Sequence, residues 1–175
     1  MNNQKSICKY QIVSAIFVAV LGTLLHFTFG WSSNNPIVGA FSAVNESTWE
    51  HLKLLFFPML ISIIIGCFYF RNKVPNLICA KTIGILISIL FTIVFFYTSS
   101  GIIGKNIDIL NIATFYIAVI LGEYVAYRIM ISNLNCNRTL SIIILSILFL
   151  CFIAFTYQTP QIGIFKDPIT GTYGI

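Results

Sequence analysis

Five apolar segments dominate this chain and limit what it can fold into. A helix needs about 20 mainly apolar residues to cross the hydrocarbon core of a bilayer. Only 9% of the residues are charged, whereas soluble domains are roughly one quarter charged. We therefore predict an all-α, polytopic membrane helix bundle of about five transmembrane helices. The predicted spans are Tyr10–Phe29, His51–Phe70, Leu77–Ser99, Ile109–Met130 and Leu140–Tyr157.

Almost all of the remaining sequence consists of short connections between these segments. One integral membrane domain is therefore predicted over residues 1–175, with residues 158–175 as a tail outside the membrane. The connection at 37–44 is apolar but too short to span. This segment can form either a re-entrant or interfacial turn or a simple loop. In both cases the hydrogen-bonding groups of its non-helical backbone must be paired with protein or water.

Basic residues are distributed unequally between the two predicted faces of the bundle. The face with the N-terminus holds seven Lys or Arg residues and the other face holds three. The excess of cations predicts an N-terminus in the cytoplasm, a C-terminus outside, and insertion in a bacterial cytoplasmic membrane. The partner is then the lipid bilayer, and the positive net charge does not indicate nucleic acid. The seven are Lys5, Lys9, Arg71, Lys73, Lys81, Arg128 and Arg138; the three are Lys53, Lys105 and Lys166.

The five cysteines show neither metal-binding spacing nor a place in a predicted exported loop. Disulfides are rare in the reducing cytoplasm. All five thiols are therefore predicted to be unpaired packing residues.

The segment SAVNESTWEHLKLLFFPML, residues 42–60, concentrates the ionisable side chains at the start of the second span. Ser47 and Glu50 have the spacing of a capping box, which predicts a helix that begins near Asn45–Ser47. Carboxylates also favour the positive end of a helix dipole. A purely structural role for Glu46 and Glu50 is therefore one interpretation.

Helical spacing adds a second interpretation of the same segment. At about 100° per residue, Glu46, Glu50 and Lys53 fall on one stripe, while His51 is turned away from it. His26, near the end of the first span, lies at a similar depth if the first two spans are antiparallel neighbours. Ionisable residues at a membrane are costly and indicate function. We predict a polar ligand-binding pocket at the outer boundary, formed by His26, Glu46, Glu50, His51 and Lys53.

One further acidic residue, Glu123, lies within the fourth span. Lys81 enters the third span from the same side of the membrane, so a structural ion pair between Lys81 and Glu123 is predicted.

Two motifs give the chain a resemblance to a known family. FSAVNESTWEHLKLLFFPM and the ending FKDPITGTYGI, with GTLLHF and WS in the first span, resemble an uncharacterised family of small multi-pass membrane proteins from Gram-positive bacteria. The resemblance covers most of the chain. It implies that the outer cluster and the external tail are features of the family, and it implies no activity.

Three functions are compatible with these residues. The first is a module that binds or passes a cation, or binds a small polar ligand or lipid head group, through the outer pocket. The second is a membrane-embedded metal-dependent hydrolase, for which His26, His51, Glu46 and Glu50 are suitable ligands and the divalent ion is assigned to His26, Glu46 and Glu50. A haem between His26 and His51 is a variant of it. The third is a non-catalytic scaffold, sensor or immunity-type protein.

Overall fold

The architecture is an up-and-down arrangement of long helices. A computed structural model describes residues 2–71, 73–132, 134 and 136–175. The long helices are α1 (Asn2–Trp31), α3 (Thr48–Phe70), α4 (Leu77–Ile103), α5 (Asp108–Met130) and α6 (Arg138–Tyr157). Two short elements complete the described chain, the helix α2 (Pro36–Gly39) and a 3₁₀ turn at Gly163–Phe165.

All five long helices are long and apolar enough to cross a membrane. They extend beyond most of the predicted span limits, because residues that flank an apolar run can continue a helix without continuing the run. Within the described residues there is no strand, and the sole β-bridge pairs Lys166 with Tyr173 in the tail. Residues 72, 133 and 135 of the two predicted cytoplasmic loops lie outside the described residues.

Helix α3 occupies the centre of the bundle and contacts α1, α4 and α6. Its side chains Leu52, Leu55, Phe56 and Met59 are almost completely buried. Many apolar residues on the other helices face outward instead, among them Ile16, Leu90, Ile120 and Ile147. An apolar surface of this kind is what a bilayer requires and water penalises.

Small residues bring α4 and α5 into close contact. A side chain on Gly122 would meet the carbonyl oxygen of Gly84 at 2.7 Å. Beside this crossing, the Ser88 hydroxyl donates to the Ala118 carbonyl at 2.8 Å. Small residues and interhelical hydrogen bonds of this type are the usual means by which helices pack in membranes.

A buried ionic network joins α1, α4 and α5 near the N-terminal end of α1. The Lys81 Nζ lies 2.6 and 2.7 Å from the two carboxylate oxygens of Glu123, and it donates to the Ser14 hydroxyl at 2.7 Å. Gln11 donates to the backbone carbonyl of Glu123 at 2.9 Å. The two residues that the sequence paired are therefore in direct contact.

The apolar connection at 37–44 contains the one-turn helix α2 rather than a uniform loop. Asn35 caps it by accepting from the Ile37 N–H at 2.9 Å, and Pro36 provides its first residue. Gly39 and Ala40 face the protein, whereas Ile37 and Phe41 are exposed. The segment packs over the ends of α1 and α3.

The prediction that all five thiols are unpaired is wrong for two of them. Cys79, at the start of α4, forms a disulfide with Cys136, just before α6. Cys8, Cys67 and Cys151 are free. The sequence argument relied on the predicted compartment, and it gave no information on which two cysteines the folded chain brings together.

Candidate metal centre

The position at which α3 begins places Glu46 outside the helix and Glu50 within it. Ser47 is the N-cap residue, and its hydroxyl accepts from the Glu50 N–H at 3.4 Å. The reciprocal half of the predicted capping box does not form, because the Ser47 N–H donates to the Asn45 side chain at 2.9 Å. The helix begins at Thr48, so Glu46 precedes it and does not follow helical spacing. Glu46 and Glu50 therefore point to different environments.

Three side chains converge at the surface of this end of the bundle. They are His26 of α1, Glu46 of the segment before α3, and His51 of α3. The two imidazole Nε2 atoms lie 3.2 Å apart. The Glu46 carboxylate lies 3.6 Å from His26 Nε2 through one oxygen and 3.4 Å from His51 Nε2 through the other. The side chains of His26, Glu46 and His51 are 31%, 42% and 30% exposed. Water and dissolved ions therefore have access to the cluster.

The backbone of α3 fixes the protonation of one imidazole. The Nδ1 atom of His51 lies 2.9 Å from the Ser47 carbonyl oxygen, which can only accept a hydrogen bond. Nδ1 must therefore carry a proton, and in the neutral ring Nε2 presents its lone pair toward His26 and Glu46. Histidines that bind metal ions are commonly held by this same hydrogen bond to a carbonyl or carboxylate.

The two histidines also determine the charge state of Glu46. Hydrogen bonds from His26 and then from His51, which donates through Nε2 when its ring is protonated, lower the pKa of the Glu46 carboxyl far below its usual range, and these effects outweigh its partial burial. Glu46 is therefore an anion throughout the neutral and mildly acidic range. An anion between two imidazoles attracts either protons or a metal cation.

The spacing of the three side chains fits a small metal ion. Their donor atoms all lie within 4.8 Å of one another. A tetrahedral zinc ion with bonds of about 2.0–2.1 Å keeps its ligand atoms roughly 3.3–3.4 Å apart. The two imidazole nitrogens, 3.2 Å apart, are close to this spacing, and each lies within 3.6 Å of a different oxygen of the Glu46 carboxylate. Two imidazoles and one carboxylate also form a known set of zinc ligands.

Glu50 and Lys53, the other two residues of the predicted pocket, lie in the protein interior. Lys53 Nζ is 2.5 Å from the Glu50 carboxylate, and the side chains are 0% and 2% exposed. Lys53 also donates to the Gly39 carbonyl at 2.7 Å and to the Thr156 hydroxyl at 2.8 Å. Glu50 accepts from the Val44 N–H at 3.1 Å. The pair joins α2, α3 and α6 and supports the surface cluster.

The Glu50 carboxylate thus binds Lys53, Val44 and Thr156. The sequence-based metal hypothesis used His26, Glu46 and Glu50, whereas the structure groups His51 with His26 and Glu46. The helical stripe that selected Glu50 assumed that α3 includes Glu46, and that assumption fails by two residues.

Two residues that contact this region were not selected from the sequence. Asp167 of the tail accepts from the Glu46 N–H at 3.4 Å, and Asn45 donates to the Gly174 carbonyl at 3.0 Å. Burial raises the pKa of Asp167, but hydrogen bonds from Ile169 and Thr170 outweigh this and the net shift is downward. The tail motif FKDPITGTYGI was the available signal, since it accompanies the cluster motif in the family resemblance.

The protein is thus an all-helical bundle with five candidate membrane spans and a His–Glu–His cluster at one end. More particularly, the chain belongs to a family of unknown function, DUF6512, whose model matches residues 1–175. Comparison with curated proteins and with solved structures found no match.

Proposed function

We propose that this chain is a bacterial integral membrane protein that binds a divalent transition-metal ion, of the zinc type, between His26, Glu46 and His51. The five candidate spans and the outward-facing apolar residues support membrane insertion. The predicted face that holds the N-terminus carries more Lys and Arg than the opposite face, which supports a cytoplasmic N-terminus and a metal site on the outer side of the membrane.

One observation carries the metal assignment: two imidazole nitrogens and a carboxylate lie within 4.8 Å of one another at a partly exposed site, and the Ser47 carbonyl keeps the proton of neutral His51 on Nδ1 rather than on Nε2. The charge also agrees, since one carboxylate and two neutral imidazoles attract a divalent cation without repelling it. Imidazole nitrogen favours zinc and its neighbours in the transition series over magnesium or calcium.

Binding at the surface is favoured over passage of the ion across the bundle. The side chains of Val18, Leu55 and Met59, on the helices that carry the two histidines, are buried and apolar. A permeation path for a divalent cation needs polar side chains or water at this depth. The ionic network of Lys81 and Glu123 lies toward the opposite end of α1 and α5.

The test is a direct measurement of bound metal. The protein is purified in detergent with a tag free of histidine, stripped with a chelator and titrated with Zn²⁺ or Co²⁺. We expect one ion per chain, and a Co²⁺ absorption spectrum of tetrahedral type. His26→Ala, His51→Ala and Glu46→Gln should each bind the ion more weakly than the wild type, whereas Asp108→Asn removes a carboxylate from outside the cluster and should leave the affinity unchanged.

The wild-type result decides between metal binding and a purely structural cluster. A folded wild-type protein without stoichiometric metal, or one whose affinity is unchanged in His51→Ala, would contradict the proposal. The cluster would then be a set of hydrogen bonds between helices, as in the scaffold or sensor hypothesis.

A metal-dependent hydrolase is the second candidate, and the number of ligands favours it. Three protein ligands leave one position of a tetrahedral ion for water, the arrangement typical of catalytic zinc. A zinc ion lowers the pKa of bound water to about 7, so hydroxide is available at neutral pH. Zinc-dependent cleavage of a chromogenic ester or phosphodiester, abolished in His51→Ala, would support it. Equal rates in the wild type and in His51→Ala would oppose it.

A further inference from the structure

Glu46 differs from the other two candidate ligands because its backbone is not part of a helix. His26 and His51 project from α1 and α3, whereas Glu46 lies in the irregular segment just before α3. The hydrogen bonds of a helix therefore do not fix its backbone. Its position must be set by contacts from another part of the chain.

The C-terminal tail supplies these contacts, and an aromatic cluster anchors it. Phe165 is buried, and its ring centroid lies 4.8 Å from that of Trp49 and 5.5 Å from that of Phe155. The bridge between Lys166 and Tyr173 then closes the tail into a turn. This turn lies beside the segment that carries Glu46.

Asp167 lies at the start of this turn and is 4% exposed. One of its oxygens accepts from the N–H groups of Ile169 and Thr170, at 2.7 and 3.3 Å. The other oxygen accepts from the Glu46 N–H at 3.4 Å. A buried carboxylate requires such partners, because an unsatisfied one is costly. The tail thus uses one oxygen for its own turn and the other for Glu46.

Asn45 forms a second connection immediately before Glu46. Its amide nitrogen donates to the Gly174 carbonyl at 3.0 Å, and its amide oxygen accepts from the Ser47 N–H at 2.9 Å. The residues on both sides of Glu46 are therefore held, one by the tail and one by the helix cap.

We propose that Asp167 is a positioning residue for the metal site, which acts through the peptide N–H of Glu46 to hold its carboxylate against His26 and His51. This inference rests on the proposed metal site. Without the contact, Glu46 samples other orientations and the ion is left with two fixed ligands. Partners that orient metal ligands typically contribute about 10- to 100-fold to metal affinity.

The test compares Asp167→Asn with the wild type in the full-length protein. An Asn side chain is nearly isosteric and still offers one oxygen to the turn, but its amide group cannot accept from the Glu46 N–H. We expect the Zn²⁺ dissociation constant, measured by chelator competition, to rise about 10- to 100-fold. Asp108→Asn, which removes a carboxylate outside the tail and the cluster, should leave it unchanged.

A double variant separates positioning from general stability. If Asp167 acts through Glu46, then Asp167→Asn should weaken binding only when Glu46 is present, and should add no further loss in the Glu46→Gln background. An unchanged dissociation constant in Asp167→Asn, or an equal loss in both backgrounds, would overturn the proposal. If Asp167→Asn does not fold, Asn45→Ala is compared with and without Glu46 by the same criteria.

Failure of this inference is distinguishable from failure of the metal site itself. If the wild-type protein binds no Zn²⁺, both the metal site and the positioning role of Asp167 are excluded. If the wild type and Asp167→Asn both bind Zn²⁺ tightly, only the positioning role is excluded.

Discussion

The Nε2 atoms of His26 and His51 lie 3.2 Å apart although 25 residues separate them in the chain. Because the Ser47 carbonyl holds the proton of His51 on Nδ1, neutral His51 accepts at Nε2, and His26 is then the donor. Glu46 faces both rings. A proton on His26 and a metal ion therefore compete for the same small volume.

This competition predicts that metal binding depends on pH. A metal ion needs unprotonated imidazole nitrogens, so binding releases protons and weakens as pH falls and protons compete for the two rings. The lowered pKa keeps Glu46 ionised across this range, so the imidazoles set the dependence. We expect the Zn²⁺ dissociation constant to rise at least about tenfold between about pH 7.5 and about pH 5.5.

The control is Glu46→Gln, which retains both imidazoles and should show the same pH slope at lower affinity. An affinity that does not change over this pH range would contradict a site with two histidine ligands.

The buried pair of Glu50 and Lys53 predicts a strong effect on stability. In Lys53→Met, the carboxylate of Glu50 remains in the interior without its cation. Removing one partner of a buried ion pair typically costs about 3–5 kcal/mol. We expect a large fall in the thermal unfolding temperature of Lys53→Met, measured in detergent micelles, and partial recovery in the double variant Glu50→Gln/Lys53→Met. Wild-type stability of the single variant would show that the pair is not buried.

The exposed Lys105 is the matched control, since Lys105→Met removes a cation from the turn between α4 and α5. Its effect should be within about 0.5 kcal/mol, as for most surface substitutions.

The sequence predicts the helices of this fold better than it predicts the site. Each predicted span corresponds to one long helix, because an apolar run of this length has few alternatives. The start of α1 and the end of α4 lie beyond the predicted limits because hydropathy detects an apolar run and not the full length of a helix. His26 was found because the order of the spans places it near the start of α3.

Other features of the site depend on contacts that a local pattern does not contain. The placement of Glu46 and Glu50 on one stripe followed from a helix start placed too early, since α3 begins at Thr48. The contact between Asp167 and Glu46 joins residues 121 positions apart. Their spatial proximity depends on the packing of Phe165 against Trp49, which no spacing rule predicts.

The disulfide between Cys79 and Cys136 provides a test of the proposed orientation of the helices in the membrane. In the proposed topology these thiols face the cytoplasm, where the bond is kept reduced and forms only on oxidation outside the cell. Alkylation of intact cells before lysis should then label both, whereas protein purified in air should yield the linked peptide pair by mass spectrometry without reductant. A linked pair already present in cells treated with the alkylating agent would indicate the opposite orientation.

The crossing of α4 and α5 predicts a difference between two glycines. A Cβ on Gly122 would lie 2.7 Å from the Gly84 carbonyl oxygen, so Gly122→Ala must separate the helices. A Cβ on Gly101, in the same helix as Gly84, would meet nothing within 4 Å. Overpacking typically costs about 1–3 kcal/mol, whereas alanine in an exposed helix is favoured over glycine by about 1 kcal/mol. We expect Gly122→Ala to unfold at a lower temperature than the wild type and Gly101→Ala to unfold at the same temperature or higher. Equal unfolding temperatures for the two variants would contradict the close packing of α4 against α5.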